Sequence, residues 1–352
     1  MFSRVGRTTF YHFTTKINNL KEAEEIKKTI LGKKMMQKKV LKNITHYNDC
    51  WFRNCFYQQL VAAYGAFGIP ADYVVCNYTI DLDFNEDTQV LDIHEHEILS
   101  DSEFNALTGV CQKRVRFQDV VKQLCTAIRA GNPVILGADS FYLPSRIQYY
   151  NQKHAPHYLL IYGFDLKRKT FTVGENDGIA IFHFTEKEIP FEVIEQTYHS
   201  FEERFASPDS AVQLEIAKKC PLYLRADAMN KLKKDFCERN YIQYASFYRM
   251  LLEKSWTVEE LSSWSEFAVK YTNFFRILMK QCSYMFGEPK KLNVLADIWH
   301  NALSALEILK EAINLGQPEL MNSERSEKIT QDMEEKLKML NRLRAMSMRM
   351  VV

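Results

Sequence analysis

Cys55, His157 and a short polar cluster, Glu175-Asn176-Asp177, follow one another along a chain of 352 residues. Brought together, a thiol, an imidazole and a carboxylate can carry acyl chemistry. The thiolate attacks a carbonyl, the imidazole holds and later returns the proton, and the acid fixes the imidazole tautomer. Cys55 opens the run CFYQQLVAAYGAFG at 55–68. Leu60, Val61 and Tyr64 share one helical face there, and Gly65 and Gly68 close the helix before Ile69-Pro70. A thiol in the first turn of a helix feels the positive end of the macrodipole, which favours thiolate. Cys50, preceded by Asp49, is a rival nucleophile five residues upstream. An oxyanion formed at Cys55 would be met by its backbone N–H and one polar side chain, for which Asn48 and Asn54 are the candidates.

The elements that must position these groups change character along the chain. Residues 18–42 read as a Lys-rich polar helix, either a solvated face or a docking face for an acidic partner such as a carrier protein. Residues 71–99 look strand-like, with Asp92, His94 and His96 alternating with apolar neighbours. His94 and His96 would share a strand face that could hold zinc, but no third ligand stands at a recognisable spacing, so no metal is expected. Residues 117–130 form an amphipathic helix stopped by Gly131-Asn132-Pro133. Short apolar runs at 134–138 and 157–162 are buried strands. A polar turn at 165–169 leads to strands at 170–173 and 180–184. Thr185 and Glu188 suggest a capping box, and so a helix start at 184–189. Beyond about residue 220 the strand signals fade and long amphipathic helices follow, including 290–314 and 323–348. The reading is an α+β domain over 1–220 and an all-helical domain over 221–352. The aromatic stretch Trp264–Phe275 reads as core, and 323–348 as a packing helix or a dimer seam.

Two runs resemble a known family. NCFYQQLVAAYGAFGIPADY at 54–73 and DSFYLPSRIQYYNQKHAPHYLLIYGFD at 139–165 are similar to the two signatures of the butirosin-biosynthesis protein H N-terminal family. In the second, an Asp and a Tyr-Leu-Pro turn precede a His that opens a strand ending in Gly-x-Asp. The resemblance covers roughly residues 45–200. It implies a papain-like fold related to the bacteriocin-processing cysteine peptidases, with cysteine at the head of a central helix and histidine and acid on adjacent strands. It further implies an acyltransferase that takes an acyl group from an acyl or peptidyl carrier-protein thioester and delivers it to a small-molecule amine, in natural-product biosynthesis, with no cofactor. On this pattern Cys55 is the nucleophile and His157 the base. Glu175 stands where the family has Asp, with Asp177 two residues later. Asn54, Asp139 and Tyr142 are the candidate substrate-binding residues, with Tyr142 and Pro144 shaping the turn after Asp139. His154 reads as a loop residue. A noncatalytic interaction module that binds a carrier or peptide, and a cysteine peptidase, are the alternative readings.

Composition bounds these expectations. A net charge of +2 does not single out a nucleic-acid binder. No stretch approaches the roughly 20 apolar residues of a membrane span, and residues 1–19 lack the apolar segment of a secretory signal. The eight cysteines are scattered without a CxxC pair, which fits reduced thiols in a cytoplasmic protein better than a disulfide framework.

Overall fold

A computed structural model describes residues 36–48, 54–85, 90–176, 183–205, 207–217, 222–239, 250, 256–286 and 289–351. The Lys-rich helix expected over 18–42 lies mostly outside them. Its described end is a strand, β1 (Lys38–Val40), with Lys39 opposite Phe164 in an antiparallel ladder. Pairing with a sheet edge overrides local helix preference here. Leu41 N and Tyr162 O, 2.9 Å apart, extend the ladder, and Lys39 Nζ donates to the Arg129 carbonyl at 2.8 Å.

Helix α1 (Cys55–Gly65) forms where the sequence places it. Asn54 caps it, and Leu60, Val61 and Tyr64 are buried. Helix α2 (Ala71–Cys76) corrects the strand reading of 71–77. Six mixed residues carry too little periodicity to decide. In the fold, Pro70 enters the helix and Val74, Val75 and Cys76 are buried. The ribbon β2 (Tyr78–Asn85) and β3 (Val90–Glu97) follows, with His94 opposite Asp81. Helix α3 (Asp101–Thr108) has a complete capping box between Ser100 and Glu103 and ends at Gly109, whose φ is 72°.

Then come β4 (Val110–Arg114), α4 (Val120–Ala130), β5 (Val134–Asp139), a 3-10 turn (Ser140–Tyr142), β6 (Pro156–Asp165) and β7 (Thr170–Asn176). The helix start expected at 184–189 is instead strand β8 (Phe184–Pro190), and helix α5 (Phe191–Phe205) begins only after it. In FTEKEIP, Thr185, Lys187 and Ile189 are covered while Glu186 and Glu188 between them are exposed, an alternation that serves a strand. Glu188 accordingly accepts from Arg168 Nη1 at 2.7 Å, and Thr185 faces Glu175 across the ladder. Strand β9 (Ala211–Ile216) precedes the helices α6 (Leu222–Glu238), α7 (Val258–Phe286), α8 (Pro289–Leu315) and α9 (Glu324–Val351).

The chain is therefore α+β. An antiparallel seven-stranded sheet has the order β4-β9-β5-β6-β7-β8, and β1 sits on β6 beyond the end of β5. Side chains alternate between two apolar cores, as a two-sided sheet requires. Val134, Leu136 and Ala138 of β5 join Leu124 and Ile128 of α4 and Tyr198 of α5 in one core. Ile135, Leu160 and Tyr162 face the other, which contains α1. That second core continues without a break into Leu278 of α7, Leu309 of α8 and Leu337 of α9. Phe274 and Phe275, from the aromatic stretch, are buried in it. Gln281 of α7 donates to the carbonyls of Cys76 and Tyr78 at 3.2 and 2.8 Å, tying the helices to the α2–β2 junction. No helix among the described residues is long and apolar enough to cross a membrane.

Candidate active site

Cys55 is the first residue of α1 and is half-buried. The helix begins there because Asn54, in extended conformation, accepts hydrogen bonds from Phe56 N at 3.0 Å and Tyr57 N at 3.4 Å. These bonds satisfy amides that would otherwise be orphaned at the helix start. The carbonyl oxygen of Asn54 is thus committed to capping.

His157 is the second residue of β6 and is buried. Its Nε2 lies 3.2 Å from Glu175 Oε1. The Cys55 thiol lies close enough to act on the same ring and favours its charged form. Burial alone would lower the imidazole pKa. The Glu175 carboxylate and Cys55, acting in a dry setting, reverse this and raise it to about 9. A protonated His157 between an acid and a thiol is the electrostatic arrangement of a thiolate–imidazolium pair.

Glu175, near the end of β7, has no solvent exposure. One of its oxygens faces His157, and the other has no hydrogen-bond partner among the described residues. Asp177, the second acid expected in this cluster, lies outside the described residues, as does Cys50.

Asn48, considered as an oxyanion donor, holds the adjoining strand instead. Its amide donates to Phe184 O and accepts from Phe184 N, both at 2.9 Å. Phe184 lies opposite Asn176, next to Glu175. Asp139 does not reach His157 through its side chain. Its carboxylate is buried beside His154 Nδ1 at 2.6 Å and accepts from Ser200 Oγ at 2.7 Å. Tyr142 ends the 3-10 turn, packing against Phe141 and His154. The structure therefore brings Cys55, His157 and Glu175 together, places Asn54 at the helix entrance, and gathers Asp139, Tyr142 and His154 into a separate cluster. On the β2–β3 ribbon, His96 Nε2 stands 3.5 Å from Asp81 Oδ2. No group of three metal-ligating side chains converges among the described residues.

Two contributors escaped the sequence reading. Gln59, one turn after Cys55, is buried and donates from Nε2 to Gly174 O at 2.9 Å. A buried Gln inside an apolar helix was the available signal, since such an amide needs a partner. Tyr158, next to His157, stacks edge-on with Phe56 and Phe201 at ring separations of 5.2 and 5.6 Å and so walls the base of α1. A cavity of about 130 Å³ opens beside Phe56 and Tyr57, the residues directly after the thiol, with Asn77, Arg114 and Asp209 on its other walls.

No protein-family model matches this chain, and no curated protein matches it significantly.

Proposed function

We propose that the protein is a cysteine-dependent acyltransferase, or a related thioester or amide hydrolase, working through an acyl-Cys55 intermediate on a papain-like scaffold. The observation that supports this most is Glu175 Oε1 set against the buried His157, whose charged form is favoured by Cys55 at a helix N-terminus. In the proposed cycle the Cys55 thiolate adds to the carbonyl carbon of a thioester or amide. The resulting oxyanion is met by the backbone N–H of Cys55, those of Phe56 and Tyr57 being taken up by the Asn54 cap. The leaving thiol or amine departs with the proton held by His157. An amine or water then attacks acyl-Cys55, and His157 takes its proton as the thiolate leaves. Glu175 holds the ring and stabilises its charged form throughout.

The transferase branch, with a carrier-protein thioester as donor and a small amine as acceptor in natural-product biosynthesis, draws on the resemblance of residues 54–73 and 139–165. Incubation with an acyl thioester tests the proposal by intact mass. The expected result is one acyl adduct, absent in Cys55→Ala and discharged by an added amine to give an amide. Discharge only by water points to the hydrolase branch. No adduct, with the thioester unconsumed, would leave a noncatalytic binding module as the better account.

A further inference from the structure

We infer that Asp139 is a positioning residue for His157, an inference that rests on the Cys55–His157 reading above. Asp139 is the last residue of β5 and lies opposite Pro156, while its neighbour Ala138 lies opposite His157. Between Asp139 and Pro156 the chain makes a long excursion that must return to deliver His157 to the thiol. Both ends of the excursion meet on one carboxylate. At its start, Phe141 N donates to Asp139 Oδ1 at 3.1 Å. At its end, Ala155 N approaches the same oxygen at 3.4 Å, and His154 Nδ1 lies 2.6 Å from Oδ2. Ser140 N and Ala155 O, 2.9 Å apart, close the same neck through the backbone.

The carboxylate also anchors the neck to α5. Ser200 Oγ donates to Oδ2 at 2.7 Å, Thr197 Oγ1 donates to the Asp139 carbonyl at 2.7 Å, and Arg204 Nε stands 3.9 Å from Oδ2. His154 stacks on Phe141 with ring centroids 4.4 Å apart, so the two ends of the excursion are also clamped face to face. A fully buried carboxylate with this many donors is satisfied only in one arrangement of the neck. The residue that follows the clamp by two positions is His157. The cluster is not a serine nucleophile with its relay: Ser200 donates to the acid rather than to His154, and it is itself buried. Its consequence is mechanical, because the setting of the β6 entrance is the setting of the base.

The test is the pH profile of Cys55 alkylation by iodoacetamide, followed by peptide mapping, in the full-length protein and in Asp139→Asn. The amide keeps the shape but presents N–H groups towards Ser200 and His154, which already donate. The expected result is alkylation slowed by about tenfold to a hundredfold at pH 7, the range a misplacement near 1 Å produces. The midpoint of that profile should move as well, because the base is displaced. A purely structural loss would lower thermal stability without moving that midpoint. If wild-type Cys55 is slow, the dyad reading and this inference both fall. If wild type is fast and Asp139→Asn shares its rate and midpoint, this inference alone is overturned. Should Asp139→Asn not fold, Ser200→Ala and His154→Gln remove one partner each, and an unmoved midpoint in both overturns it equally.

Discussion

Gln59 Nε2 donates to the carbonyl oxygen of Gly174 at 2.9 Å, and this buried bond ties the helix headed by Cys55 to the strand that carries Glu175. Nucleophile and acid belong to segments more than a hundred residues apart in sequence, and His157 must stand between them. The bond fixes the separation across which it does so. Gly174 makes the approach possible: a Cβ there would lie 2.8 Å from His46 Cε1 and 2.9 Å from Gln59 Oε1.

Gln59→Leu removes this buried hydrogen bond, at a cost of about 0.5–1.5 kcal/mol. Urea unfolding should show a loss of that size. Alkylation of Cys55 at pH 7 should slow in the same variant, because Glu175 and His157 are no longer held against α1. A stability loss with unchanged alkylation would separate the bond from the site.

Glu175→Gln keeps the shape of the acid but cannot stabilise a charged imidazole. His157 then loses the charged partner that, together with Cys55, outweighs its burial. Its proton should leave at lower pH, and turnover should fall by roughly 10²–10⁴-fold, the range of general acid–base assistance. Titration of the His157 ring by NMR together with rate measurements checks both parts.

The perturbed groups set two pH windows for stability. His157 is raised from the ordinary 6.5 to about 9. Its contribution is fully present below about 6.5 and is lost as pH rises through about 9. Asp139 behaves oppositely. Burial would raise its pKa, but the bonds from Ser200, His154 and Phe141 N hold it below the usual 3.8. Its contribution is present above that ordinary value and is lost as pH falls through the lower folded one. Unfolding free energies measured between pH 3 and pH 10 should therefore decline at both ends, with the alkaline decline absent in Glu175→Gln.

Much of this was legible in the chain. The helix from Cys55 announces itself through a polar cap, a periodic apolar face and closing glycines. The strands at 134–139 and 156–165 do so through unbroken apolar runs, which only a sheet covered on both faces explains. FTEKEIP was misleading because Thr185 and Glu188 have capping-box spacing, yet Glu186 and Glu188 are exposed between the covered Thr185, Lys187 and Ile189, an alternation set by pairing with β7. Lys38–Val40 and Ala71–Cys76 were misread for the same reason: both are short, and tertiary pairing decides them. At the site, the order Cys, His, acid pointed to the cluster 175–177, and the family resemblance put Glu175 in the acid's place with Asp177 two residues later. What sequence does not show is which His an Asp will meet. Asp139 lies three residues closer in sequence to His154 than to His157, and it takes His154 because the excursion folds back on itself.

Gly137 tests the packing beside the site, since it lies opposite Tyr158 in the ladder. A Cβ at this position would fall 2.5 Å from the Phe201 ring of α5. Gly137→Ala must push that ring out of place, with overpacking costs of about 1–3 kcal/mol. Thermal unfolding should register the loss, and Tyr158, which shares the Phe201 ring, should shift with it.

The most direct test of the central claim is intact-mass labelling of the native protein with limiting iodoacetamide at pH 7, comparing wild type, Cys55→Ala, Cys50→Ala and His157→Ala. The account predicts one fast adduct that vanishes in Cys55→Ala, persists in Cys50→Ala and slows in His157→Ala. A fast adduct that survives Cys55→Ala, or one indifferent to His157, would contradict it.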